Sequence, residues 1–219
     1  MTQIEHHIPD DLLMGYAAGA LPEAFDLVVA THVSLSDDAR ARLAGYEALG
    51  GAVLTDLDEA ELAEDSLERT LARIANAPEP SDTSAPASAS GKPAVFPAPL
   101  RKILGGDEDA VEWRNLAMGT KQCILHTEDG ASARLLYIPA GQAMPEHGHR
   151  GMELTLVLKG AFRDEGDRFA RGDIEVADDD TDHTPVAEMG EDCICLIATE
   201  SRLRFKGLLP RIAQPFLGI

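Results

Sequence analysis

Two periodicities divide the chain. Over the first third, apolar positions recur every three or four residues: in "DLLMGYAAGAL", in "PEAFDLVVATHVSL", in "ARARLAGYEALGGAVL", and again at Leu67, Leu71 and Ile74. That spacing marks one face of a helix. Start signals stand where the pattern needs them: Pro9-Asp10 before the first run, Pro22 at the second, and Ser36 with Asp37 and Asp38 before the third. Proline suits a first helical turn, serine caps free amides, and acids favour the positive end of the helix dipole. The pattern predicts four short helices in residues 1–76, packed as a small bundle around Leu12, Leu13, Tyr16, Leu27, Val28, Leu43, Leu67, Leu71 and Ile74.

Further along, the period drops to two. "ARLLYIPAG", "ELTLVLKGAF", "GDIEVAD" and "DCICLIAT" are short alternating or β-branched runs parted by Gly, Pro and Asp. They predict an all-β barrel or sandwich. Between the two regimes, "APEPSDTSAPASASGKPAVFP" at 77–97 offers almost nothing to bury. Read as a flexible linker, it would span on the order of 25 Å. The expected architecture is therefore multi-domain, α plus all-β: a helical domain at 1–76, a Pro/Ala/Ser-rich linker at 77–97, and a β-domain at 98–219.

Charge narrows the class of partner. Lys plus Arg total 19 against 38 for Asp plus Glu, a formal net charge of -19. Residues 1–76 hold 15 acids and 4 bases, or -11, more than half of that charge. Phosphate contacts need basic patches, so direct nucleic-acid binding is not expected, whereas a basic protein partner is. No apolar run approaches the roughly 18–20 residues of a membrane span. The start "MTQIEHHIPDD" lacks the charged-then-apolar pattern of a signal peptide. Three cysteines, Cys123, Cys193 and Cys195, are too few for a disulfide framework and fit a reducing cytoplasm.

The candidate chemistry lies in "GQAMPEHGHRGMELTLVLKG". On a strand, side chains alternate faces, so His147 and His149 project together, and Glu153 joins them if the turn "RGM" keeps the register. Imidazoles with one carboxylate suit Zn, Fe, Mn or Ni, and His183 on a later strand supplies a fourth ligand. Four such ligands close a tetrahedral zinc site, and no extra acid–base residue stands out for catalysis. Cys193 and Cys195 share a strand face; they read either as two small buried hydrophobes or as a redox-sensitive pair, although a disulfide between them would be strained.

Gly141, His147, His149, Glu153 and Gly160 stand at every fixed position of the first cupin motif, which this stretch resembles. Gly172-Asp173 and His183 are similar to the start and the ligand of the second cupin motif. "DDT" replaces its Pro-x-Gly, and Ala187 its final Asn. The phrases "YAAG", "EAFDLVVATH", "HGHRGMELTLVL", "GAFRDEGDRF" and "HTPVAE" extend the resemblance over nearly the whole chain, to the ChrR-type anti-sigma factors. That resemblance implies a zinc-type helical anti-sigma domain, a small four-helix bundle, fused to a cupin β-barrel or jelly roll. The helical domain would sequester an extracytoplasmic-function sigma factor and hide its RNA polymerase surface. The cupin would take part in release under oxidative stress, notably singlet oxygen. One departure concerns the helical zinc site: His7 and His32 stand at its histidine positions, but Ser36 and Ala39 replace its cysteines. The expectation is one divalent ion per chain, zinc by preference, held by the cupin. The alternative class is a dioxygenase- or isomerase-like cupin metalloenzyme whose helices only mediate oligomerisation.

Overall fold

The computed structural model describes residues 3–78, 93–127 and 130–200, and the backbone of 204–205. Residues 79–92, the middle of the expected linker, lie outside the described residues.

The four expected helices form: α1 (Asp10–Ala17), α2 (Glu23–Leu35), α3 (Asp37–Thr55) and α4 (Ser66–Ala75). Pro9 and Pro22 each occupy the N-cap, one position earlier than the helix proper, and Ser36 Oγ caps α3 by accepting the Ala39 N–H at 3.1 Å. A fifth helix not foreseen in the sequence, α5 (Ala98–Leu104), starts after Pro97 and ends at Gly105 in the left-handed conformation. Helices α1, α2 and α3 pack together, tied by Arg42, which reaches the carboxylates of Asp10 and Asp38 and the Ile8 carbonyl.

α4 departs from the expected bundle. Leu67, Leu71 and Ile74 are not core residues: they are 66%, 56% and 66% exposed, and α4 buries no residue at all. The helical period identified an apolar face correctly, but nothing among the described residues covers it. The compact helical unit is α1–α3, with Leu12, Leu13, Leu27, Val28 and Leu43 buried and Tyr16 packed at its edge.

The β-part contains β1 (Arg114–Asn115), β2 (Lys121–Leu125), β3 (Ser132–Ile138), β4 (His147–Gly148), β5 (Glu153–Lys159) and β6 (Ala161–Arg163). It continues with β7 (Arg168–Ala170), β8 (Ile174–Ala177), β9 (Asp182–His183), β10 (Val186–Ala187), β11 (Cys193–Thr199) and β12 (Arg204–Phe205). All pairings are antiparallel. A six-stranded sheet runs β1-β2-β3-β11-β5-β8, beside two three-stranded sheets, β10-β6-β7 and β12-β4-β9. Gly160, at φ 67, makes the tight turn between β5 and β6, and a Cβ there would sit 2.5 Å from the Asp192 carbonyl oxygen.

Both faces of the large sheet are buried, which is why β5 and β11 read as nearly continuous apolar runs. One face carries Ala133 and Leu135, Leu154, Leu156 and Leu158, and Ile194, Leu196 and Ala198. These join Phe25, Val28 and Val29 of α2 and Leu100 of α5 in a single apolar core. α2 lies directly against β11, β5 and β3. The other face carries Ile138, Val157, Cys193, Cys195 and Ile197, which pack with Phe162 and Phe169 of the small β6-β7 pair. The helices and the β-part thus share one interior. The N-terminal approach to α1 is stitched to the same edge: Ile174 N–H donates to the His6 carbonyl at 3.1 Å, and Asp173 Oδ1 accepts the Glu5 and His6 amides at 2.7 and 3.0 Å.

Candidate metal centre

His147, His149, Glu153 and His183 converge, all buried, with one ligand atom from each lying within 4.8 Å of the others. The register explains it. His147 on β4 pairs directly with His183 on β9, and Glu153 opens β5 on the inner face of the large sheet. Short turns between β4 and β5, with Gly151 at φ 80, bring His149 back beside Glu153, its Nδ1 3.5 Å from Glu153 Oε2.

The hydrogen-bond partners set the imidazole tautomers. His147 Nδ1 donates to the Pro145 carbonyl at 2.9 Å, and His183 Nδ1 donates to Glu175 Oε1 at 2.9 Å. Each ring therefore turns an Nε2 lone pair inward. Those two Nε2 atoms lie 3.1 Å apart, and His149 Nε2 lies 3.2 Å from that of His183. Lone pairs at that separation repel unless a cation sits between them. Two nitrogens at zinc–nitrogen bonding distance in a tetrahedral shell lie about 3.3 Å apart, so the spacing fits a bound ion. Burial pushes the His147 imidazole down to about 4, which keeps it neutral and ready to ligate near pH 7. For His183 burial opposes charge too, but the Glu175 contact and the Glu153 and Asp164 carboxylates outweigh it and hold its pKa above the usual histidine range.

Three contributors were not singled out in the sequence. Burial raises the Glu175 carboxyl, which with Asp164 forms the outer layer that fixes the His183 ring. Arg134, 6% exposed, lies on the same inner face, where burial pushes its guanidinium down. Glu175 in "DIEVA" and Arg134 in "SARLLYI" sit on the inward side of otherwise apolar strands, a placement that strand parity alone does not distinguish from a solvent-facing one.

The residues at the expected helical zinc site do not fit a zinc ion. Ser36 Oγ is spent as a helix cap, Ala39 has no ligand atom, and His32 Nδ1 bonds the Gly172 carbonyl at 3.0 Å. No cluster of three candidate ligands among the described residues includes His7 or His32. His7 instead lies 3.6 Å from Asp38, half-exposed. His32 is fully buried and pushed down to about 4 by that burial; it serves as a docking residue between α2 and the β-part.

Cys193 and Cys195 are both buried, their Sγ atoms 3.6 Å apart. The contact with Cys193 and burial together push the Cys195 thiol well up, away from reactive thiolate. Cys123 is half-buried and separate from them.

A cupin with a buried three-histidine, one-glutamate cluster and helices docked on its outer sheet is the class of protein this geometry defines. Residues 104–202 match the family described as the ChrR cupin-like domain. Across 216 residues, 99% of either chain, the sequence is 51% identical to the anti-sigma-E factor ChrR of Cereibacter sphaeroides. The fold is also similar to the crystal structure of Rhodobacter sphaeroides SigE in complex with the anti-sigma ChrR. That match has a TM-score of 0.78 and 51% identity, covering 90% of this chain and 99% of the other. The chain belongs to the ChrR family of anti-sigma factors.

Proposed function

We propose that this protein sequesters an extracytoplasmic-function sigma factor through its helical part and so denies it to RNA polymerase. It acts by binding, not by catalysis. The observation that carries this reading is the apolar surface left open on the distal half of α3 and on α4. Leu49, Val53 and Leu54 of α3 and Leu57 just beyond it are at least 57% exposed, and Leu67, Leu71 and Ile74 of α4 at least 56%. A stable fold does not leave so many large apolar side chains on one segment without a partner. The acidic excess of residues 1–76 suits a partner whose DNA-facing surfaces are basic.

The functional division follows the chain: residues 1–76 as the inhibitory unit, residues 77–97 as its connection, and residues 98–219 as a metal-loaded cupin that governs release under oxidative stress such as singlet oxygen. Zinc is the ion the four-ligand set favours. α4 completes a four-helix arrangement when the sigma factor covers its apolar face. No described helix is long and apolar enough to cross a membrane, and a sigma factor is met in the cytoplasm, where we place the protein. Co-purification of the full chain with its sigma factor tests the reading. Leu71→Asp with Ile74→Asp should weaken capture roughly a hundredfold, as loss of central apolar anchors does. Because both side chains are exposed, stability should change by less than about 1 kcal/mol. Undiminished capture by this variant would sink the assignment of the surface.

A further inference from the structure

We propose that the cavity beside the metal cluster is a binding site for a short organic monocarboxylate, its charged head held between the ion and Arg134. The proposal rests on the metal reading above. Arg134, Ile197, Thr155 and Glu175 are consecutive cross-strand partners on β3, β11, β5 and β8, forming one row across the inner face of the large sheet. All four line a cavity of about 70 Å³, together with His147, Glu153 and His183.

Arg134 is the unexplained member of that row. Its Nη1 is buried without a hydrogen-bond partner, and among the described residues its Nη2 reaches only Ser132 Oγ, at 3.4 Å. It makes no ion pair among the described residues; Glu175, at the far end of the row, is engaged with His183. A guanidinium buried with idle donors carries a large desolvation cost that only an opposing charge offsets. Glu153 is close enough to favour the charge on Arg134, but its negative charge is needed by the metal ion. Glu153, Glu175 and Asp164 match a divalent ion and Arg134 in number, but Glu175 and Asp164 are turned to His183 and Glu153 to the ion, so among the described residues no carboxylate bonds the Arg134 fork. A ligand carboxylate supplies that missing acceptor, and the planar guanidinium fork matches it in geometry.

The rest of the wall sets the ligand's body. Leu116, Leu136, Ile138, Met144 and Phe162 are apolar, so the ligand carries a short hydrocarbon chain, not a sugar or a phosphate. The volume admits about five water-sized atoms, the size of propionate.

The test uses the full chain loaded with cobalt(II), whose visible spectrum reports changes in its ligands. Propionate should shift that spectrum saturably, and propionamide, of equal shape without charge, should not. Arg134→Met should keep its fold by circular dichroism and its cobalt, yet bind propionate about tenfold or more weakly. Arg134→Lys, which keeps the charge and loses the fork, should fall between them; if the methionine variant does not fold, this one carries the comparison. A spectrum indifferent to propionate, equal affinity in wild type and both variants, or octanoate binding as tightly as propionate would each overturn the proposal. Cobalt content separates the two levels: a cobalt-loaded chain that ignores propionate refutes the anion site alone, and a chain that takes up no cobalt refutes the metal reading and the site together.

Discussion

His183 commits both ring nitrogens at once, Nδ1 to Glu175 and Nε2 toward the other imidazoles. Its replacement by alanine removes a ligand and frees the carboxylate behind it, so bound metal should fall from about one ion per chain to near none. His32→Ala should leave the content unchanged, as elemental analysis after dialysis against a mild chelator would establish. His32 governs a different property. Its pKa falls from 6.5 unfolded to about 4 folded, because burial under the β-part excludes the charged form. Between those values the unfolded chain binds the extra proton, so stability is intact above pH 6.5 and drains away as pH falls towards 4. The share of the loss due to His32 should reach about 2 kcal/mol at pH 5. Urea titrations at pH 7 and pH 5 measure it: His32→Gln should shrink the difference by that amount and leave the share of His147, which burial also holds near 4. The convergence of His147, His149 and Glu153 was legible in the sequence because they fall at spacings a strand and a turn can close. Arg134 and Glu175 were not, because a lone charge in a strand ordinarily marks its solvent face; their meaning depends on a second layer of strands folding over them.

At the scale of the element, local chemistry predicted helix starts well and helix environments poorly. Ser36 caps α3, as its place before two aspartates implied. Ser36→Ala should cost about 1 kcal/mol, read as a lower urea midpoint at unchanged slope. What α4 faces could not be read the same way. Its period of 3.6 reveals an apolar stripe at Leu67, Leu71 and Ile74, but a stripe is equally consistent with a core inside the molecule and with an interface outside it. α5 escaped notice because seven residues after a proline carry too little periodicity to stand out.

At the scale of the whole molecule, composition separated a helical from a β-region but could not reveal that α2 lies on the outer face of the large sheet. Ala24, Phe25, Val28 and Val29 are at most 2% exposed in the full chain. A fragment ending at residue 76 would lose part of that cover, so it should be less helical, bind an apolar dye and aggregate unless the sigma factor is present. Circular dichroism of the fragment beside the full chain decides this. The doubly buried sheet has one more consequence. Along β5 and β11, the odd-numbered Glu153, Thr155, Cys195 and Ile197 line the cavity, while the even-numbered Leu154, Leu156, Leu158, Ile194, Leu196 and Ala198 support the helices. The two strands therefore carry two interleaved messages, one written in each parity. Single substitutions can corrupt either message alone, but a one-residue deletion inside either strand would shift the reading frame of both, presenting leucines to the metal and polar groups to α2 in the same stroke.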